Sequence, residues 1–279
     1  NTAGFANLPI ESRPFPNWNR INTRDNGGYH DYHDLVFQLR GNLTGWGLTH
    51  TTTYKWAHSI DNIEDRGGGQ GDFQSEINGR TDNRFDPDYL RGPTTNVPTH
   101  RFVSSAIWLL PIGRGRMIGG DMPAALDAIA GGWAVSTLVQ VQSGPHLTAF
   151  YSSHCGSGTN CYGSEKADSV SGQDPDDGPK TLEQWFNTSA FSVAAFRDAQ
   201  GRSIFAGRFG NAEKGTIIGP GAWNVDLAAF KDFRLSTRAT ARFNVFVTNL
   251  FNHANWGRPE TNVTSTNYGR ITSLTSLFP

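Results

Sequence analysis

Trp46–Ala57 reads WGLTHTTTYKWA. Alternate positions separate into two sets. One is Trp46, Leu48, His50, Thr52, Tyr54 and Trp56, and the other is Gly47, Thr49, Thr51, Thr53 and Lys55. A period of two is the spacing of a strand, whose successive side chains point to opposite faces. Rings sit near both ends of the first set. A lipid-facing stripe bounded by two aromatic girdles requires that arrangement. An ordinary strand runs about five or six residues, whereas a tilted strand that crosses a bilayer needs about nine to eleven. The quoted segment has the longer length.

The same pattern recurs on either side of it. Gly132–Gln142 sets Trp133, Val135, Thr137, Val139 and Val141 against Ala134, Ser136, Leu138, Gln140 and Gln142. Thr237–Leu250 sets Ala239, Ala241, Phe243, Val245 and Val247 against Thr240, Arg242, Asn244, Phe246 and Thr248. Similar segments cover Asn17–Arg24, Tyr29–Arg40, Arg101–Leu110, Ala222–Phe233 and Asn267–Thr275, which predicts about eight strands, most of them long. Helical periodicity is confined to Met122–Ile129 and Thr181–Phe186. The predicted class is therefore all-β: an antiparallel transmembrane β-barrel segment, one domain over residues 1–279. A soluble sandwich alternates in the same way, so an extracellular carbohydrate-binding β-sandwich module is the competing reading.

Connection lengths separate the two. Gly41–Gly45 and Arg234–Ser236 are short and Pro111–Gly131 is intermediate, while His58–His100, Ser143–Gly221 and Phe251–Thr266 are long. Short and long alternate, as they do when hairpins turn briefly on one side of a membrane and extend widely on the other. Loops of this length are uncommon in compact soluble domains. Their polar, Gly-rich composition predicts solvated and partly mobile segments.

Composition narrows the functional classes. The 279 residues carry 24 Lys+Arg against 25 Asp+Glu, a net charge of −1, so nothing points to nucleic acid. Aromatic residues are 12%, with 18 Phe and 8 Trp, which suits β-structure with wet loops. The longest apolar run, Ala106–Ile112, is too short for a transmembrane helix. The chain starts at Asn1 with no signal-peptide pattern, so a processed chain or a piece of a longer one is expected. Cys155 and Cys161 sit six positions apart and are read as a small disulfide loop in an oxidising compartment, with two free thiols as the competing reading.

Motifs for other chemistry are weak. His30 and His33 are three apart, which on a strand puts them on opposite faces and argues against a shared metal. Ser171–Pro179 is acidic but lacks the EF-hand spacing. Asp174 and Asp177 are close in sequence, yet nothing flanking them supports glycosidase chemistry. No nucleophile elbow, Walker loop, zinc-protease or dinucleotide fingerprint occurs. No catalytic residue, metal or cofactor is assigned, and an enzyme is not expected. Loop aromatics Tyr151, Tyr162, Trp185 and Trp256 are the candidates for stacking on a sugar or another flat ligand.

Several stretches match a known family in order along nearly the whole chain. They include Tyr29–Arg40 (YHDYHDLVFQLR), Asp86–Val103 (DPDYLRGPTTNVPTHRFV), Leu109–Arg116 (LLPIGRGR), Gly132–Pro145 (GWAVSTLVQVQSGP), Trp185–Phe191 (WFNTSAF) and Phe243–Gly257 (FNVFVTNLFNHANWG). On these the chain resembles the C-terminal barrel portion of Oar-like TonB-dependent outer-membrane receptors, which often carry a carboxypeptidase-regulatory-like domain. The resemblance implies a Gram-negative-type outer membrane and a barrel of the plugged class, with about twenty-two strands. It also implies partners: membrane lipid, an N-terminal plug, the remaining strands, a TonB complex acting through that plug, and an unknown solute. The family's barrels close on an aromatic-ended strand, whereas this chain stops at Ser276-Leu277-Phe278-Pro279. The chain is therefore expected to be a fragment of such a receptor. In a plugged barrel, Lys55, Gln140, Gln142, Asp226, Arg242 and Asn244 would face the lumen, and Asp226 and Arg242 would be placed to pair across adjacent strands.

Overall fold

A computed structural model describes residues 27–63, 86–152, 164–193 and 210–275. Six long strands dominate: β1 (His30–Leu43), β2 (Leu48–Asp61), β3 (His100–Leu109), β4 (Trp133–Gln142), β5 (Ala222–Arg234) and β6 (Thr240–Val247). Each pairs antiparallel with its neighbour in sequence, in the order β1-β2-β3-β4-β5-β6. The result is an up-and-down meander, and among the described residues β1 and β6 do not pair with each other to close it.

Register decides which side chains share a face. The rung Phe37–Tyr54–Phe102–Val141–Trp223 runs across five strands. Near the opposite end lie the rungs Leu48–Trp108–Val135–Ala229–Val245 and Trp133–Lys231–Phe243. Between them stand His50, Ala106, Thr137, Leu227 and Val247. Two belts of rings thus bound a band of small and aliphatic side chains, as the alternation in Trp46–Ala57 predicts. No second long sheet covers this face among the described residues. Phe37 is 58% exposed and Leu39 64%. A soluble sandwich would bury these groups, so that reading is excluded.

Two polar side chains on the apolar face satisfy each other. Thr52 and Ser104 bond to each other at 2.8 Å. The His50 ring lies over Gly41, where an added Cβ would meet its Cε1 at 2.2 Å. Glycine is needed there because the ring occupies the space of a side chain. At the β1–β2 turn, Gly47 adopts a left-handed φ of 65°, and an added Cβ would meet the Leu109 carbonyl oxygen at 2.7 Å.

Four expectations change. Asn267–Thr275 is not a strand. Gly269 turns there with a φ of 83°, and its neighbours bond to other loops: Trp185 N–H donates to Gly269 O and Ile271 N–H to Leu182 O, both at 2.8 Å. Thr181–Phe186 is not a helix; the Thr181 hydroxyl accepts from Gln184 N–H in a local turn. The β5–β6 connection is Leu235–Ala239 rather than three residues, closed by Leu235 N–H donating to Ala239 O at 3.0 Å. The described parts of the long loops are folded rather than loose, as the next subsection shows. The Met122–Ile129 expectation corresponds to helix α1 (Ala124–Ala130). Asn17–Arg24 lies outside the described residues.

Candidate functional site

At the long-loop end, three chain segments are sewn together. Thr94 N–H donates to Ser59 O, tying the β2–β3 loop to the wall. The Tyr89 hydroxyl donates to Gly210 O at 3.0 Å, and the Lys166 ammonium to Tyr89 O at 2.6 Å, joining that loop to the β4–β5 loop. Phe150 N–H donates to Thr261 O at 3.1 Å, and Val263 N–H to Phe150 O at 2.8 Å, which adds the segment after β6. Arg258 reaches the Asn96 side chain at 2.6 Å.

This platform has its own core. Leu147, Ala149, Ala167, Phe186, Ala190, Phe191, Ala212 and Ile217 are buried together, with Trp185, Val263 and Tyr268 packed against them. Phe186 contacts the Tyr268 ring edge-to-face at 5.3 Å. The Tyr268 hydroxyl is buried with no hydrogen-bond partner among the described residues. Burial therefore pushes its phenol well above the usual tyrosine value of 10.0. Stability from the neutral phenol is fully present below pH 10 and is lost as pH rises towards the raised folded value. Loop unfolding followed by tyrosinate absorbance should show this loss starting near pH 10. Tyr268→Phe should remove the alkaline dependence at no cost in stability at neutral pH.

A buried ion pair anchors the platform to the wall. The Lys214 ammonium meets the Asp61 carboxylate at the end of β2 and donates to Ile63 O at 2.7 Å. Side-chain exposure is 5% for Lys214 and 11% for Asp61.

Beside the platform lies a cavity of about 370 Å³. Trp185, Trp223, Trp256 and His253 line it, together with Val141 and Gln142. The Trp223 and His253 rings stack with centroids 4.2 Å apart, and Trp185 and Trp256 meet edge-on at 6.0 Å. Trp185 is held in place by its indole N–H, which donates to Ile218 O at 2.7 Å. No Lys, Arg, Asp or Glu lines the cavity among the described residues. Such a site offers stacking faces and few charges, which suits an uncharged ring-bearing ligand.

Two of the four sequence-selected aromatics, Trp185 and Trp256, thus share one cavity. Tyr151 lies in the short strand Phe150–Ser152, with its side chain outside the described part. Tyr162, Cys155 and Cys161 lie outside the described residues. Trp223 and His253 were not selected from the sequence. Trp223 reads as a strand residue, and only the register shows that it caps β5 beside the loops.

The lumen candidates share the polar face. Lys55 pairs in register with Val36 and Arg101, Gln140 with Val103 and Asn224, and Asn244 with Phe230. Lys55 donates to the Tyr32 hydroxyl at 3.0 Å. The Asp226–Arg242 pairing is corrected. Asp232, six residues beyond Asp226, is opposite Arg242 and takes a bidentate contact at 2.6 and 2.8 Å. Asp226 instead accepts from the Asn224 side chain at 2.7 Å and from Asn249 N–H at 2.9 Å. His30 and His33 lie on opposite faces as expected, and His30 bonds to the Ser59 hydroxyl at 2.6 Å. In the acidic stretch, Asp174 accepts from Asp176 N–H, and Asp176 pairs with Lys180 at 3.3 Å.

No curated protein and no solved structure matched the chain significantly. A family model described as an outer membrane beta barrel domain matches residues 2–277. The exposed apolar band between the two ring belts is thereby the lipid face of an outer-membrane wall, and the chain belongs to the outer membrane beta barrel domain family.

Proposed function

We propose that the chain forms part of the barrel wall and the ligand-capturing loop platform of a TonB-dependent receptor, which binds and passes a solute and performs no catalysis. The platform with its aromatic cavity carries this reading. A barrel wall alone needs only short turns, whereas here three long segments build a buried core and a cavity at one end. The resemblance to Oar-like receptors supports the same role. Two further features agree with it. The edges of β1 and β6, unpaired among the described residues, suit remaining strands of a larger barrel, since open edges do not persist in lipid. The polar face presents Lys55, Gln140, Asp226, Arg242 and Asn244, groups that would meet an N-terminal plug or line a solute path. The cavity chemistry favours an uncharged saccharide or a similar flat-faced solute.

The test uses the full gene product purified from outer membranes. It should be retained by an immobilised periplasmic domain of TonB, and neutral oligosaccharides should quench its tryptophan fluorescence saturably. Trp256→Ala should weaken that binding by up to about tenfold, the loss of one stacking ring at about 0.5–1.5 kcal/mol. Failure to be retained by TonB would overturn the receptor reading and leave the outer-membrane assignment intact. Retention without saccharide binding would overturn the ligand class only.

A further inference from the structure

The β3–β4 connection, residues 110–132, lies at the short-turn end, which is the periplasmic side of an outer-membrane barrel. It is folded tightly. Gly113 N–H donates to Ile118 O and Ile118 N–H to Pro111 O, both at 2.9 Å. The Asp127 carboxylate accepts from Arg114 N–H at 2.8 Å, which fastens helix α1 to this turn.

Two side chains of the lipid face reach the end of that helix. Trp133 and Lys231 are opposite each other in register on the apolar face. The Trp133 indole donates to Ile129 O at 2.8 Å. The Lys231 ammonium donates to Asp127 O at 3.2 Å and to Gly131 O at 2.5 Å. Lys231 is only 5% exposed. A lysine pointing towards hydrocarbon is costly, and here the carbonyls at the helix C-terminus satisfy it. These bonds place the helix end on the outer side of the wall, level with the lower ring belt.

The surface this leaves bare is apolar. Met117 is 68% exposed, Ile118 54%, Leu126 56% and Ile129 72%. Leu126 and Ile129 are three apart, on one side of the helix, while Asp127 turns into the fold. Arg114 and Arg116 are exposed in the same connection. Aliphatic side chains beside arginines, continuous with a lipid-facing band, are the signature of an element lying in the membrane interface.

We propose that residues 111–131 form an interfacial foot that rests in the periplasmic leaflet, with Met117, Ile118, Leu126 and Ile129 among the acyl chains and Arg114 and Arg116 at phospholipid headgroups. The proposal rests on the outer-membrane wall assignment and is independent of the receptor reading. Its occupant is phospholipid, because the face continues a surface already in lipid and the lysine that would repel lipid is capped.

The experiment places p-benzoylphenylalanine, one site at a time, at Leu126, Ile129, Val245 and Asp176 in the full gene product in cells. Irradiated outer membranes are then scored for phospholipid adducts by mass spectrometry. Adduct yields at Leu126 and Ile129 should be comparable to that at Val245 on the lipid face, and severalfold above that at Asp176 in the external loops. Adducts at Val245 alone would overturn the foot, as would protein adducts at Leu126 and Ile129. Absence of lipid adducts at Val245 as well would overturn the lipid-facing wall, and the foot with it. Leu126 and Ile129 both project from the protein surface, so the substitutions leave the wall's packing untouched.

Discussion

Lys214→Met should detach the loop platform from β2 and lower its stability by about 3–5 kcal/mol, the loss measured when one partner of a buried ion pair is removed. The reason is the stranded charge. Asp61 sits at the end of a membrane-spanning strand, almost fully covered, and its carboxylate would lose its counter-ion without gaining water. The Ile63 carbonyl would lose its donor at the same time. Limited proteolysis checks the result: cleavage between residues 86 and 99 or between 210 and 221 should become fast while the strands stay resistant. The double variant Lys214→Met with Asp61→Leu should recover much of the loss, since an apolar pair of similar volume avoids the stranded carboxylate. Equal instability of single and double variants would show that the pair is not the anchor.

Phe186→Ala should cost about 3–5 kcal/mol in the platform, the usual range for emptying a buried aromatic site. Phe186 is fully buried and contacts both Phe191 and Tyr268. Its removal opens a hole between the β4–β5 loop and the segment after β6. The side chain touches no membrane-spanning strand in the buried cluster, so wall and platform should separate in their response. Thermal melts followed by near-ultraviolet circular dichroism should lose the loop transition at lower temperature. The strand signal in the far ultraviolet should hold. Loss of both together would show that the platform is needed to keep the wall folded.

The wall was legible in the sequence because its physics is local. Side chains alternate with period two, and lipid on one face forces apolar residues at every second position, so Trp46–Ala57 announces itself. Five of the six long strands were bounded to within three residues at each end; β2 is the exception, running to Asp61, four residues past its expected end at Ala57. The platform was hidden because its core has no period. Phe186, Ile217 and Tyr268 come from separate segments and meet only through tertiary contacts. Alternation in Asn267–Thr275 suggested a strand, but Gly269 and the partners offered by Leu182 and Trp185 prevailed. Asp226 and Arg242 were matched by charge, yet register is fixed by the length of the turn, and the five residues of Leu235–Ala239 bring Asp232 opposite Arg242 instead. Trp185 and Trp256 were found by residue type alone. Their companions Trp223 and His253 needed coordinates.

The seam between Phe150 and Thr261–Val263 makes the crown depend on two stretches far apart in the chain. Without residues 260–271 the β4–β5 loop lacks the Thr261 carbonyl that receives Phe150 N–H and the Tyr268 ring against which Phe186 packs. The crown is complete only when both stretches are in place. A chain truncated after Val247 would keep the six described membrane-crossing ribbons yet expose the greasy underside of an unfinished crown.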